Sequence, residues 1–381
     1  MSAAYNATTP TSLKREYLPN DIVDFSIQMK PGRSMVPGSL RLSGSLNTQV
    51  LTVAGTYRDL KITDHVHMDP FAGVHSLIRS INTSVNSATV ENTNLYNRYV
   101  AMHRQANYDL ASLNSSSLAI PEICGTTNSI MLMGNDVVDG QKTIAFSCLL
   151  MNCLNQASTA LPQSKFGNIQ ISLTLADAIE AFYSDLTAAS KVLDASGEFT
   201  GFRYKLFDLQ LNWTELIGGG ASQEVIMPVK NVYQQSVQNE TSYLNISAPA
   251  LYNSLSMSFI EQSKVNTVFN NNLLCEAIKG INLNGGGVQI LINGSETPIP
   301  YELKTYQELA QNYLLSLNGN PGKNSIMNAV LYGENTFGIG FQLLTSSYDR
   351  LAIQLKFNAE AYGNVIRPYD CFIYTNSFIS L

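Results

Sequence analysis

Apolar and polar residues alternate with a period of two along much of the chain. Val23, Phe25 and Ile27, for example, are separated by Asp24 and Ser26. A segment of this kind hides one face and exposes the other, which is typical of antiparallel strands in a β-sandwich. Turn-forming sequences such as PGRSMVPG, NGGG and NGNPGKN separate the predicted strands. The same alternation occurs in residues 169–175, 207–213, 337–343 and 351–357.

Helical periodicity is clear in two segments, each with a stripe of apolar and aromatic residues on one face. These stripes predict helices near residues 91–105 and 302–316, and we interpret both as packing surfaces. A third segment, residues 175–186, fits either a short helix or the end of a strand followed by a loop. The stripes consist of Tyr96, Tyr99, Val100, His103 and Ala106 in the first helix, and of Leu303, Tyr306, Leu309, Ala310, Tyr313 and Leu314 in the second.

Two stretches of the chain contain the same order of predicted elements. Residues 75–105 and 289–311 each comprise a strand, a turn, a polar linker and a helix, at an offset of about 210. The strand at 23–29 also matches the strand at 207–213, and the strand at 169–175 matches the one at 351–357, both at offsets of about 184. This repeated order predicts two copies of one β-sandwich unit, each with an inserted helix.

The interior segment with the weakest pattern, residues 184–200, sets the predicted boundary between the two copies. The division is an N-terminal arm over residues 1–20, a first unit over 21–190 and a second unit over 191–381. The arm is rich in Ala, Thr and Ser, with one basic pair at Lys14 and Arg15, and is expected to bury too little apolar surface to order by itself. It lacks the apolar core of a signal peptide, and no apolar run approaches the length of a transmembrane helix.

Charged residues are scarce, at 14% of the 381 residues against about a quarter in typical soluble proteins. The net charge of -6 and the lack of a basic patch argue against wrapping of nucleic acid as the main function. Low charge is typical of chains whose sides are covered by neighbours, because charged residues are depleted in interface cores. The cysteines lack metal-type spacing and are predicted to be buried free thiols in a reducing compartment. They are Cys124, Cys148, Cys153, Cys275 and Cys371.

The strongest candidate for chemistry is the sequence HVHMDPFAGVH, which contains His65, His67, Asp69 and His75. On a strand, a His-x-His pair places both imidazoles on one face, where they can bind a metal. Cupins are jelly-roll proteins with such a site, but their pattern has a Glu shortly after the second His, where this chain has Phe71 and Ala72. The second half of the chain contains no His at all, so it cannot supply a matching site.

Other enzyme signatures are also missing. The sequence contains no nucleophile elbow and no Walker-type loop, and the glycine-rich INLNGGGVQ is interpreted as a hairpin turn. We therefore predict no catalytic, cofactor-binding or metal-binding residues and no enzymatic activity.

Four segments together carry a resemblance to a known family. GVHSLIRSINTSVNS resembles a strand that runs into a turn, and VENTNLYNRYVAMHR the Tyr-rich helix that follows it. LPQSKFGNIQISLTL resembles the strand that closes a first roll, and FRYKLFDLQLNWTEL the strand that opens a second. Over roughly residues 20–381, the chain resembles the double jelly-roll major capsid proteins of tectiviruses, adenoviruses, virophages and related icosahedral viruses. The resemblance implies an all-β fold of two tandem antiparallel eight-stranded jelly rolls, each with a short inserted helix.

The resemblance also implies a structural function as a viral major capsid protein. The chain would form a homotrimer, a pseudo-hexameric capsomer that tiles an icosahedral shell. The implied partners are other copies, neighbouring capsomers, and penton and minor capsid proteins, with an internal membrane as a candidate partner of the N-terminal arm. Sequence-specific nucleic acid is not among them. The expected location is the virion capsid, after synthesis in the host cytoplasm.

Two alternatives from other classes stay open on the sequence alone. One is a bicupin-like metal-dependent enzyme, and the other is a carbohydrate-binding or fibre-type β-protein of a virion. Metal analysis separates the first alternative from a capsid protein.

Overall fold

The protein folds mainly into antiparallel β-structure with a few helices. The structure is a computed structural model, and it describes residues 2–60, 64, 66–69, 71–107, 143–184, 186, 199–218, 224–237, 241–246, 250–273, 287–292, 295–296, 306–317, 338–348, 351–356 and 368–381. The described helices are α1 (Tyr96–Asn107), α2 (Gln163–Phe166), α3 (Ala178–Ala181) and α4 (Tyr306–Ser316), with 3-10 turns at Gly73–Leu77 and Gln262–Lys264.

The described strands are numbered in chain order. They are β1 (Ser2–Thr8), β2 (Glu16–Tyr17), β3 (Ile22–Gln28), β4 (Arg33–Met35), β5 (Arg41–Thr52), β6 (Tyr57–Asp59), β7 (Val66–His67), β8 (Ile78–Val85), β9 (Ala88–Thr93), β10 (Ile144–Leu149), β11 (Leu161–Pro162), β12 (Asn168–Leu175), β13 (Tyr183–Ser184), β14 (Phe199–Ile217), β15 (Ile226–Val237), β16 (Thr241–Ile246), β17 (Ala250–Glu261), β18 (Gly287–Ile292), β19 (Ser295–Glu296), β20 (Ile339–Tyr348), β21 (Leu351–Lys356) and β22 (Tyr369–Ser380).

The strands pair in the same order in both halves of the chain. The N-terminal half has one sheet in the order β3-β12-β8-β9 and another containing β4-β14-β5-β10, to which β1, β2, β6 and β11 are added. The C-terminal half has the sheets β16-β21-β18-β19 and β15-β22-β17-β20. Helix α1 follows β9, and helix α4 follows the equivalent strand β19. The chain is therefore an all-β protein of two tandem rolls, each with an inserted helix, as the sequence predicted.

Part of the predicted repeat is confirmed by this pairing. Strands β12 and β21 hold equivalent places, and so do the turn-and-helix units that contain α1 and α4. Within β3 and β12 the apolar alternation faces inward, because Val23, Phe25, Ile27, Ile171 and Leu173 are all buried. The outward positions carry polar residues, as expected for a sandwich sheet with one solvated face.

Strand β14 does not open the second roll, so this prediction from the sequence is wrong. It pairs along its length with β5, from Phe199↔Thr52 to Asn212↔Arg41, and with β1 on its other side. The C-terminal equivalent of β14 is the last strand, β22, and the equivalent of β3 is β16. Alternation is the same in every half-buried strand, so it could not tell which strands are neighbours.

The N-terminal arm is also not a separate unordered segment. Strand β1 pairs with β14 at seven positions, from Ser2↔Ile217 to Thr8↔Leu211, and Tyr17 of β2 is buried in the core. The prediction that residues 1–20 require a partner for order is therefore wrong. Apolar burial was the wrong criterion, because main-chain hydrogen bonds to a long neighbouring strand can hold an edge strand.

Helix α4 packs against strand β20 on the side that carries its glycine. The sequence placed Gly338 and Gly340 on the polar side of this strand, but α4 packs directly on that side. A Cβ on Gly338 would collide with the Tyr313 ring of α4, and one on Gly340 would lie 2.9 Å from the Tyr313 Cα. Neither contact leaves room for a side chain, so glycine at both positions permits the helix to approach the strand.

The remaining local predictions have mixed outcomes. Cys148, Cys153 and Cys371 are buried free thiols, as predicted, whereas Cys124 and Cys275 lie outside the described residues. Between residues 175 and 184, β12 ends at Leu175, the single-turn helix α3 spans Ala178–Ala181, and β13 follows. Most of the weakly patterned segment 184–200 lies outside the described residues. No helix in the described ranges is long and apolar enough to cross a membrane.

Candidate functional site

Helix α1 lies at the junction of the two rolls, and none of its residues is exposed. Tyr96 and Val100 belong to the large core of the first roll. Tyr99 and Met102, on another face, belong to a cluster shared with the second roll. Ala101 faces a third, small cluster. Because each face of α1 is buried in a different cluster, this helix joins the two cores.

The shared cluster contains residues from α1, α4 and two strands of the second roll. The rings of Tyr99 and Tyr374 are 5.4 Å apart and tilted, a favourable arrangement for two aromatic side chains. The helices that hold equivalent places in the repeat thus meet in one apolar contact. Its buried members are Tyr99, Met102, Ala106, Ile260, Tyr313, Leu314, Leu317, Phe372 and Tyr374.

Arg98 carries a positive charge across this junction. Its guanidinium carbon lies 4.0 Å from the centre of the Phe372 ring, and Nη2 donates a hydrogen bond to the carbonyl of Asn272. Arg98 is buried, so this cation–π contact is made with little competing water. The arrangement ties the first-roll helix to β22 and to the segment after β17.

Lys230 of β15 makes the reciprocal contact from the second roll into the first. Its Nζ donates to Oε1 of Gln156 over 2.6 Å and lies 4.8 Å from the centre of the Tyr99 ring. Burial lowers the pKa of Lys230, and the charges of Glu91 and Cys153 oppose that shift only in part. A buried amine with one amide partner and one aromatic partner fixes the position of β15 on the first roll.

Glu91 is the buried anion of this region. Its carboxylate accepts hydrogen bonds from the hydroxyls of Thr83 and Thr93, each at 3.2 Å, and from the Cys153 amide at 3.1 Å. A buried carboxylate needs hydrogen-bond donors, and these three bonds supply them from within the first roll. Its field also favours the charged form of Lys230.

Further hydrogen bonds surround the charged centre of the junction. The Tyr374 hydroxyl donates to the Leu95 carbonyl at 3.1 Å, and Asn107 Nδ2 donates to the Leu317 carbonyl at the same distance. Asn272 Nδ2 donates to the Ile179 carbonyl at 2.7 Å. These bonds close the rim of the contact and restrict rotation of one roll against the other.

Asp69, a member of the candidate metal site, is a structural residue of this junction. Its Oδ1 accepts from the amides of Phe71 and Ala72, and its Oδ2 accepts from Asn271 Nδ2 at 2.7 Å. Burial raises the pKa of Asp69, although these hydrogen bonds and the charge of Arg98 act to lower it. Both carboxylate oxygens are engaged by the protein, and the side chain links the two rolls.

His75 has both ring nitrogens within hydrogen-bond distance of protein groups. Nε2 lies 3.0 Å from Arg104 Nη2, and Nδ1 lies 2.9 Å from the Tyr96 hydroxyl. Arginine only donates, so Nε2 must accept and the proton belongs on Nδ1. Burial and the charges of Arg104 and Arg41 lower the pKa of His75 well below its usual value, which agrees with a neutral ring. His75 therefore connects Arg104 to Tyr96.

The other two histidines of the motif do not complete a metal site in the described part of the chain. His67 is buried on β7, where its ring lies 5.6 Å from the ring of Tyr183 on the paired strand β13. His65 lies outside the described residues. Across the described ranges, no three His, Cys, Asp or Glu side chains are grouped as metal ligands would be.

Sequence reasoning did not find the charged residues of the junction. Lys230 follows the buried residue Val229 directly, and two successive buried residues break the period-two pattern of a half-exposed strand. This break is a property of the folded chain, so no sequence signal identified Lys230. Arg98 gave none, because the stripe of α1 was interpreted as its only buried face.

The paired sheets and the connecting helices define the fold as a double jelly roll. No protein-family model and no curated protein sequence matches the chain. Among solved structures, the Faustovirus major capsid protein is similar with a TM-score of 0.61 and 9% identity, over 100% of this chain and 90% of that one. The mavirus major capsid protein is similar with a TM-score of 0.52 and 11% identity, over 99% and 90%.

A chain of the Sputnik virophage is similar with a TM-score of 0.62 and 11% identity, over 100% of this chain and 86% of that one. At these identities the likeness establishes the fold. The resemblance to double jelly-roll capsid proteins that the sequence suggested is confirmed at that level.

Proposed function

We propose that this protein is a viral major capsid protein that forms homotrimeric, pseudo-hexameric capsomers. The observation that carries the proposal is the extent of the structural likeness, which spans all of this chain and 90% of the Faustovirus major capsid protein. Both rolls and the connection between them are therefore shared with a protein of that function. The proposed role is structural and non-enzymatic.

The geometry of the junction suits this role. Two similar rolls in each chain give three chains six similar blocks, which can form a ring with hexagonal outline. Such a ring tiles a surface only if the two rolls of each chain keep one relative orientation. Arg98, Lys230 and the shared aromatic cluster supply that rigidity, because they bury charge and apolar area between the rolls.

We also propose that the boundary between the rolls lies at residues 218–223 rather than at 190. Strand β14 completes the first roll by its pairing, and β15 begins the second. The first roll then comprises residues 2–217 and the second residues 224–381.

The proposed partners are other copies of the chain, neighbouring capsomers, and penton and minor capsid proteins. The proposed location is the capsid of the virion, after synthesis in the host cytoplasm. Sequence-specific binding of nucleic acid is not part of the proposal, because the chain has a net charge of -6 and no basic patch in its sequence.

Light scattering and negative-stain electron microscopy of the purified protein test this function. We expect a stable mass of about three times 41.7 kDa, and particles with a hexagonal outline. A monomer over a wide concentration range would contradict the capsid function. One tightly bound metal per chain, lost in the His65→Ala/His67→Ala double variant, would instead support the bicupin-like enzyme.

A further inference from the structure

Strand β1 forms an open edge of the sheet that contains β14. It pairs with β14 from Ser2↔Ile217 to Thr8↔Leu211, and within the described strands it has no second neighbour. The edge of a sheet presents unpaired amides and carbonyls that can pair with another strand. The Ala4 carbonyl accepts a long hydrogen bond of 3.4 Å from Asn6 Nδ2.

This edge lacks the features that usually prevent pairing between sheets. The sequence SAAYNAT has no charge and no proline, and its pairing with β14 has no register shift. Two other edge strands of the protein differ: β9 has a register shift against β8, and β15 contains Pro228. Bulges, prolines and lysines are common protective devices on edge strands. Strand β1 has none of them, in contrast to β9 and β15.

The surface around β1 is also apolar. Tyr5 is 87% exposed, and Leu13 in the loop after the strand is fully exposed. Ile217 is exposed as well, but it pairs with Ser2 and therefore lies on the opposite face of the sheet from Tyr5. Tyr5 is thus the large exposed hydrophobic side chain on the outer face of β1, between the exposed residues Ala3 and Ala7.

We propose that β1 pairs with β1 of a second copy of this chain, in antiparallel orientation, and so joins two capsomers. An uncharged strand is compatible with its own copy, because no like charges face each other across the pair. Ala3 and Ala7 flank Tyr5 on the same exposed face, so an opposing Tyr5 ring has room above an alanine. The pairing itself needs only a second copy of the chain. That the two copies belong to different capsomers rests on the proposed function.

Charge exchange on this strand tests the pairing. The Lys variant carries Ala3→Lys, Tyr5→Lys and Ala7→Lys, and the Glu variant carries Glu at the same positions. In sedimentation velocity, we expect wild-type protein to associate beyond the trimer and each variant alone to associate at least tenfold more weakly. We expect an equimolar mixture of the two variants to recover the association of wild type, because opposite charges then face each other. Recovery in the mixture would identify the partner as a second β1.

A control variant separates pairing from general repulsion. Gln28→Lys, Gln170→Lys and Asn92→Lys add the same charge at exposed positions on the polar face of the other sheet. We expect this variant to associate like wild type. The proposal is overturned if wild type never exceeds the trimer, if the control loses association as strongly as the Lys variant, or if the mixture fails to recover.

The same experiment distinguishes this proposal from the proposed function. A wild-type monomer that forms dimers, with dimers absent in the Lys variant, would support β1 pairing and contradict the trimer. Trimers whose further association is equal in all variants would support the trimer and contradict β1 pairing.

Discussion

The inserted helix is held differently in the two rolls. In the first roll, α1 has no exposed residue, and Arg98 and Arg104 are buried along with its apolar side chains. In the second roll, α4 leaves Gln311 exposed and lies on β20, where two glycines make room for it. Both helices thus contribute to the contact between the rolls, but α1 has no exposed residue whereas α4 keeps an exposed position.

This difference shows which parts of a duplicated fold can diverge. The order of strand pairing is the same in both rolls, because it decides which apolar faces meet. The helix is free to take a second function once the sheets alone form the sandwich. His67, His75, His103 and the single tryptophan, Trp213, also lie in the first roll, and the sequence has no histidine or tryptophan after residue 213, so the two rolls can be followed separately.

Lowering the pH should destabilise the first roll before the second, and this is the largest change in stability that we expect. Burial lowers the pKa of His103 to about 3, helped by the charges of Lys230 and Arg104, and lowers that of His75 as well. Below pH 6.5 the unfolded chain binds protons that the folded chain does not. Stability is therefore lost as pH falls below 6.5, by up to about 1.4 kcal/mol per pH unit for each histidine, and for His103 the loss continues to about pH 3.

Trp213 fluorescence during urea unfolding at several pH values measures this loss. The His103→Leu variant should show a shallower dependence on pH than wild type, because one of the two histidines is removed. Hydrogen exchange of β17 and β22 serves as the internal control, since the second roll has no histidine. Equal loss of protection in both rolls at the same pH would contradict the prediction.

Removing Arg98 should uncouple the rolls. Arg98→Ala loses the contact with Phe372 and the hydrogen bond to Asn272, and we expect a loss of about 2–4 kcal/mol in the free energy of unfolding. Trp213 fluorescence and far-ultraviolet circular dichroism should then report separate transitions at neutral pH, where we expect them to coincide in wild type.

Arg98→Lys is the matched variant, because it keeps the charge but not the planar group that stacks on the ring. We expect its stability to lie between those of wild type and Arg98→Ala. A double-mutant cycle with Phe372→Leu isolates the ring contact, and a coupling free energy near zero would show that the contact does not stabilise the junction.

The sequence predicted the parts of this fold that depend on local pattern. It identified β12 and β21 as equivalent, and it placed both helices to within a few residues. It failed for β14, because apolar alternation does not encode which strand lies alongside. It failed for β1, because SAAYNAT has no apolar face and main-chain bonds to β14 hold it.

The contacts at the junction could not be predicted from the sequence for a related reason. Lys230 can be buried because it donates a hydrogen bond to Gln156 and lies over the Tyr99 ring, both in the other roll. No pattern within residues 226–237 specifies those partners. The same holds for Asp69 and Asn271, which lie 202 positions apart. The sequence singled out Asp69 for its chemical type but gave the wrong neighbours for it.

A methyl group on Gly340 should destabilise the second roll through its helix. The new Cβ would lie 2.9 Å from the Tyr313 Cα, so α4 must move away from β20. Overpacking of this kind costs about 1–3 kcal/mol. Gly201→Ala in the first roll is the matched control, since its Cβ would lie 3.8 Å from the nearest atoms, in Leu51. Thermal unfolding should show a lower midpoint only for Gly340→Ala, and equal midpoints would contradict the close approach of α4.

The smallest effect should come from a contact between the rolls that lies away from α1. Lys165 of the first roll donates to the carbonyl of Leu381 in the second at 3.0 Å, but this contact is exposed to water. Exposed charged contacts of this kind contribute less than about 1 kcal/mol, because water competes for both groups and the lysine loses side-chain entropy. Lys165→Ala should therefore leave the unfolding transitions of the two rolls coincident, in contrast to Arg98→Ala. A loss as large as that of Arg98→Ala in urea unfolding would mean that the rolls are held together at their edge rather than by α1.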